Sequence, residues 1–234
     1  MECIIILAVS IVTIILMKIG LNIHIKDIKR IKEIGYSKSL NEIADKFPEN
    51  KEICNSILSK LGNDNVQIEE NNETKTSLYI AVTNKIIIAK IKDTFTRIQT
   101  IAHECLHSVQ NRKILMFNFV FSNIFIIAFI AFLVLILFNI GNSMVYLTSY
   151  AVLTIIYITI RGYLENEAMS KAIYVAKEYM ESYARDKENI TEQDIQKIIE
   201  NYDELNKVGI PLTNFWLVAA CMIKLAILAA VAIF

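Results

Sequence analysis

The sequence predicts an α+β integral membrane protein, mainly helical, with four transmembrane helices and a soluble cap that contains a small antiparallel sheet. Three observations predict it. Of 234 residues 54% are hydrophobic, and they gather in long apolar runs at about 3–17, 114–140, 143–160 and 212–234. A helix needs about 20 apolar residues to cross a hydrocarbon core of roughly 30 Å, and the last three runs approach or exceed that length. The segments between the runs carry the charge, and their apolar residues recur at helical spacing except in one β-branched stretch.

Residues 1–23 form the first transmembrane helix. The run is short, but Lys18 can snorkel and Ile19 to Ile23 extend it. Met1-Glu2-Cys3 lacks a basic leader and no A-x-A-like site follows, so the segment reads as a retained anchor rather than a cleaved signal peptide. Residues 24–113 form the first part of the cap. In "IKDIKRIKEIG" the isoleucines Ile25, Ile28, Ile31 and Ile34 step by three, which suits a surface or interfacial helix. Helical periodicity continues over Asn41 to Lys46 and Asn50 to Leu61, is broken by Pro48 and is closed by Gly62. "NVQIEE", "TSLYIAV" and "KIIIAKI" then read as three short antiparallel strands, with "KIIIAKI" as the edge.

Asp93 and Thr94 open a helix that carries "TFTRIQTIAHECLHSVQ" and runs on into the second span. Ile98, Ile101, Cys105 and Val109 mark its buried side, while His103 and His107 share another line. Residues 114–160 form a transmembrane hairpin around the uncharged turn "NIGNSMVY". Residues 161–211 complete the cap: a long helix leaves the third span and reaches about Asp186, and a short amphipathic helix capped by Thr191 follows. Gly209 and Pro211 mark the entry into the last span, 212–234.

Lys26, Lys29, Arg30, Lys32, Lys38, Arg112, Lys113, Arg161 and Lys207 all flank the runs on the side of the two charged segments. The 139–146 turn has no charge at all. Basic residues stay cytoplasmic, so the cap is expected in the cytoplasm of a multi-pass cell-membrane protein, with both termini outside. Lys224 breaks the pattern mid-way through the last span, where Asn118, Ser122 or Asn123 are its expected partners. The 24 basic and 24 acidic side chains cancel, which gives no reason to expect nucleic acid as a partner. Cys3, Cys54, Cys105 and Cys221 lie far apart without a C-x-x-C and read as small buried thiols.

His103-Glu104-Cys105-Leu106-His107 is an H-E-x-x-H sequence on a helix. Spacing of i,i+4 places both imidazoles on one face, ready for Zn2+, with the glutamate beside the open coordination position. A catalytic site needs a third protein ligand, and Glu165 and Glu167 are the carboxylates on the later cap helix near the membrane. The tight 139–145 turn makes spans two and three antiparallel neighbours. His107 precedes its span by about seven residues and Glu165 follows its own by about five, so the two emerge at similar depth.

These motifs resemble those of the neutral zinc membrane metallopeptidases of bacteria, the YugP-like group. The resemblance covers most of the chain: a leading span, a soluble part, HExxHxxQ (His103 through Gln110), two spans, and then E-x-x-A in "ENEAMSKA" with Glu165, Ala168 and Ala172 in register. The E-x-x-A arrangement is also similar to that of the HtpX and CAAX prenyl protease group. Leu106 stands where these families have glycine, and Met169 replaces a serine or aspartate.

The resemblance implies a zincin-like cap and Zn2+ held by His103, His107 and Glu165, with Glu104 as general base for a zinc-activated water. Helix register agrees on the third ligand. Ala168 and Ala172 share the face of Glu165, whereas Glu167 aligns with Lys171 as an i,i+4 ion pair. Gln110 is expected to buttress the site, Tyr79 and Tyr163 are candidate oxyanion donors, and His24 is expected to be merely exposed. The expected activity is that of a zinc metalloendopeptidase at the cytoplasmic membrane surface, acting on a peptide or membrane-protein substrate beside the lipid bilayer. A site-2-type protease needs an aspartate in a later span, and a metal-independent CAAX-type protease needs a paired glutamate in a span; both are absent here. The rival expectation is a non-proteolytic membrane chaperone or assembly factor that retains a structural zinc site.

Overall fold

The computed structural model describes residues 1–71, 73–74, 76–89, 94–185 and 187–233. About 75% of it is helix. In chain order the elements are α1 (Glu2–Gly20), α2 (Ile25–Gly35), α3 (Lys38–Ala44), α4 (Asn50–Lys60), β1 (Gln67–Asn71), β2 (Leu78–Ile80), β3 (Lys85–Ala89), α5 (Arg97–Val109), α6 (Arg112–Leu137), α7 (Ser143–Ala184) and α8 (Glu192–Val231). Four of these, α1, α6, α7 and α8, are long and apolar enough to cross a membrane. The chain divides into two compact units.

The first unit comprises Met1–Ile23, Met116–Tyr163 and Ile210–Phe234. Its core gathers Phe125, Ile136, Leu147, Tyr150, Cys221, Leu225, Leu228 and Ala229. Phe125 stacks against both Tyr150 and Tyr157, at centroid distances of 4.8 and 4.6 Å. The α6–α7 turn bends through Asn139 and Gly141, both at positive φ, and a Cβ on Gly141 would collide with the Tyr146 side chain. Lys224 does not find the amide and hydroxyl partners expected for it. The Ser122 hydroxyl and the Asn123 amide bond to carbonyls of their own helix four residues back, and the Lys224 ammonium lies 5.6 Å from the centroid of Phe125. A cation over an aromatic face keeps electrostatic company without a counter-ion.

The second unit comprises His24–Leu115 and Leu164–Gly209 and holds the larger core. Leu40, Ile53, Ile57, Ile86, Ile88, Phe95, Ile98, Ile101 and Cys105 pack there with Ala168, Ala172, Ala176 and Tyr202. Alanines at i, i+4 and i+8 give α7 a flat strip on which neighbouring side chains can close. Arg97 is buried in this unit. Its guanidinium donates to the carbonyls of Ala44, Phe47 and Pro48 and to Asn50 Oδ1, at 2.7–3.0 Å. These bonds clamp the turn between α3 and α4 onto the first turn of α5. Thr191 caps α8 as expected: its hydroxyl accepts from the Asp194 N–H while the Asp194 carboxylate accepts from the Thr191 N–H.

Three expectations about the elements change. The sheet is mixed rather than antiparallel, in the order β1-β3-β2. β1 runs parallel to β3 and β2 antiparallel to it, so "KIIIA" is the central strand and not the edge. Lys90 and Ile91 of the expected strand, and Asp93 of the expected helix start, lie outside the described residues. Second, the H-E-x-x-H helix does not run into the next span; it stops at Val109, Gln110 is extended, and Asn111 accepts from the backbone N–H groups of Lys113 and Ile114 to start α6. Third, Gly209 and Pro211 do not separate two helices: α8 is continuous through Pro211. Asp186 and Phe234, the expected ends of the long cap helix and of the last span, lie outside the described residues.

Candidate metal centre

α5 is apolar on the side of Ile98, Ile101, Ala102 and Cys105, and that side seats it in the core. His103 and His107, four residues apart, then share the adjacent line and turn toward α7. The two Nε2 atoms lie 3.1 Å apart with the rings at 87°. Glu165 Oε2 of α7 lies 3.5 Å from His103 Nε2 and 3.7 Å from His107 Nε2. These three residues can hold a metal ion, and no further His, Cys, Asp or Glu joins the group among the described residues. The spacing is a test of fit. Donors bound tetrahedrally at about 2.1 Å from one ion lie about 3.4 Å from each other. All three observed separations fall around that value, and two imidazoles with a carboxylate are a zinc-type donor set.

Gln110 carries the next layer. Its Oε1 lies 2.8 Å from His107 Nδ1, and its Nε2 donates to the Leu164 carbonyl at 2.8 Å and to Glu167 Oε2 at 3.0 Å. Two acceptors facing the amide nitrogen leave Oε1 as the acceptor toward histidine, so Nδ1 of His107 must be the protonated nitrogen. Nε2 then presents its lone pair to the metal position. Glu167 is held from the other side by Lys171 at 2.7 Å, and the ammonium, then the Gln110 amide, keep its carboxyl below the usual carboxylate range. The end of α5 at Val109 makes this possible, because an extended Gln110 folds its side chain back over the last helical turn.

Glu104 is buried, with 6% of its surface exposed. Burial raises its pKa above the ordinary carboxylate value, against the opposing pull of His103, His107 and the backbone N–H of Tyr79. Tyr79 belongs to β2, an edge strand, so the edge that lies beside the site is β2 and its backbone reaches the base. Burial opposes the charged form of His107, but hydrogen bonds to Glu165 and Gln110 outweigh it and raise its pKa. Beside His103 a shallow cleft of about 190 Å³ is lined by Gln99, Thr100, Met169 and Ala172.

The structure therefore brings His103, His107, Glu104, Glu165 and Gln110 together. It does not bring the Tyr79 hydroxyl to the site, since that group donates to Asn84 Oδ1 at 2.9 Å in the β2–β3 turn. Tyr163 is exposed and belongs to the first unit, and His24 is exposed at the start of α2. Sequence reasoning missed two things: that Glu167 bonds to Gln110 as well as to Lys171, and that the Tyr79 backbone faces Glu104. The first had a signal, a glutamine three residues past a histidine whose Nδ1 needs an acceptor. Cys54 and Cys105 are free thiols with sulfurs 3.6 Å apart in the core. The contact with Cys54 and burial hold the Cys105 thiol well above its ordinary pKa, which leaves it unreactive packing beside Glu104. Compared with known proteins, the chain matches no family model, no curated protein and no solved structure.

Proposed function

We propose that the protein is a membrane-embedded zinc metallopeptidase that hydrolyses peptide bonds at the cytoplasmic membrane surface, with His103, His107 and Glu165 as ligands and Glu104 as general base. The observation that carries the reading is the three-donor set at tetrahedral spacing with a buried carboxylate next to it in sequence. Catalytic zinc sites keep three protein ligands and one open position, whereas structural sites close with four. A zinc ion there would supply Lewis acidity to a carbonyl oxygen and make water acidic enough to attack near neutral pH.

The chain's own residues do the proton work. Glu104 takes the proton of the attacking water and returns it to the departing amine nitrogen. A pKa raised by burial makes it a stronger base than a solvated glutamate and a competent acid afterwards. Gln110 holds the His107 ring in the orientation and tautomer a ligand needs. Among the described residues β2 pairs with a strand on one side only, β3, and its other edge beside the site suits an extended peptide. The distribution of basic residues supports cytoplasmic placement. The HExxHxxQ and E-x-x-A motifs support a divergent member of the neutral zinc membrane metallopeptidases, and the bond from Gln110 to His107 gives the glutamine of that motif a physical role.

The test is cleavage of an unfolded model polypeptide by purified, zinc-loaded protein, with and without chelator, beside Glu104→Gln. Chelator-sensitive cleavage that Glu104→Gln abolishes while keeping its zinc supports the reading. A fully zinc-loaded wild type that cleaves nothing would favour the chaperone with a structural metal.

A further inference from the structure

The isoleucines of α2 step by three, and a helix turns 100° per residue, so each isoleucine is displaced about 60° around the axis from the one before. The stripe therefore winds from one side of the helix to the other. At the far end Ile34 packs against the core of the second unit, and on that side Arg30 forms a bidentate pair with Glu204 of α8 at 2.9 and 3.0 Å. At the near end the stripe faces away. Ile25 is 70% exposed and Ile28 38%, and α2 buries no residue completely. Ile25, Ile28, Lys29 and Lys32 follow one another at i, i+3, i+4 and i+7, which is one helix face, and Tyr36 continues that spacing at the C-cap. Tyr36 at its end is 76% exposed, and Lys26 flanks it.

Apolar side chains interleaved with lysines and closed by a tyrosine match the chemistry of the lipid headgroup layer. Isoleucine enters the acyl boundary, lysine stems lie along it with the ammonium among phosphates, and tyrosine sits where apolar meets wet. Chain length brings the face to that layer. α1 has 19 residues, and at 1.5 Å each that is close to the roughly 30 Å of the hydrocarbon core. Only Leu21 to His24 separate α1 from α2, a link that reaches no further than about 18 Å when fully extended. The start of α2 is thus tethered within reach of the phosphates at the end of the first span.

We propose that α2 is an interfacial helix that binds anionic phospholipid through Ile25, Ile28, Lys26, Lys29, Lys32 and Tyr36. This rests on α1 spanning the membrane and not on the metal centre. The lysines select the lipid, since a basic juxtamembrane face gains from anionic headgroups and not from zwitterionic ones.

The chain has a single tryptophan, Trp216, so Trp216→Phe with Ile25→Trp places one reporter on the exposed face. The full chain is reconstituted into nanodiscs with acyl-chain-brominated lipid, either phosphatidylcholine alone or phosphatidylcholine with phosphatidylglycerol. Blue-shifted emission, roughly halved by the bromines, is expected in the anionic discs and weaker in the neutral ones. Replacing Lys26, Lys29 and Lys32 by glutamine should remove that difference. Ile28→Trp in the same background is the second reporter, and unchanged hydrogen-exchange protection of the α4 and α5 amides shows that the second unit is folded. Solvent-like, unquenched emission in both lipids overturns the proposal, and so does equal quenching in the two. A shift already present in detergent that grows with protein concentration also overturns it, because the face is then covered by a second copy.

Discussion

Gln110 decides the chemistry of His107 although it touches no metal position itself. Its amide has two acceptors on the nitrogen side, Leu164 O and Glu167, and one histidine on the oxygen side. Removing it leaves His107 free to rotate and to carry its proton on the wrong nitrogen. Gln110→Ala is expected to weaken zinc binding about 10- to 100-fold while the protein remains folded, as loss of such partners does elsewhere. Competition with a chelating dye measures it, and wild-type affinity in that variant would remove Gln110 from the support of the site. The two carboxylates two residues apart on α7 should separate cleanly. Glu165→Ala removes a ligand and should be zinc-free by elemental analysis, whereas Glu167→Ala removes one of two acceptors of Gln110 and should cost less than about tenfold in affinity. Both lie on one turn, but positions two apart point about 200° from each other, so only one can face the ion directly. Glu104→Gln should keep full zinc and lose nearly all hydrolysis, because an amide cannot accept the proton.

At the scale of elements, α5 owes its position to Arg97 as much as to its apolar side. The guanidinium is fully buried and donates four bonds, three of them to carbonyls in the turn between α3 and α4. Burial lowers its pKa, partly offset by Asp45 among others. Arg97→Met fills similar space but strands the Phe47 and Pro48 carbonyls and Asn50 Oδ1, while the Ala44 carbonyl keeps the Phe47 N–H. Each buried acceptor left unpaired costs about 1–3 kcal/mol, so the variant should lose at least about 3 kcal/mol. Hydrogen exchange of α3, α4 and α5 amides reads this locally, where far-UV dichroism would be swamped by the long helices; undiminished protection would refute it. Arg97 is also a residue that periodicity could not single out, since a charged residue at the start of a helix reads as solvated. The sheet shows a different limit. Three consecutive isoleucines, Ile86 to Ile88, are the pattern of a strand covered on both faces and so of a central strand. That signal was present. Strand direction was not, because side-chain alternation is the same for parallel and antiparallel neighbours. The length of α8 was hidden for another reason: Pro211 removes one backbone donor, and helices near or within a bilayer tolerate that loss where a soluble helix end would be expected.

For the whole molecule the four candidate spans and the histidine pair of the candidate metal group were legible in sequence, because both rest on local periodicity: a run of apolar residues in one case, i,i+4 spacing in the other. Orientation rests on a different quantity, the asymmetry of Lys and Arg between the two sides. Arg112, Lys113, Arg161 and Lys207 flank the spans where they join the charged segments in sequence, and no basic residue lies in the α6–α7 turn at 139–142. The proposed orientation predicts Asn142 outside and Asn189, between α7 and α8, in the cytoplasm. Single cysteines at these two positions in a cysteine-free background separate the alternatives. Cys54, Cys105 and Cys221 are buried and are best replaced by alanine, which adds no polar group to either core, with zinc content checked to show the centre intact. Both asparagines are exposed, so a membrane-impermeant maleimide meets no steric barrier at either. In intact cells Asn142→Cys should label and Asn189→Cys should not, and permeabilisation should add the second without changing the first. The reverse pattern would put His103, His107 and Glu165 on the outer face, where the substrates would be exported chains instead of cytoplasmic ones.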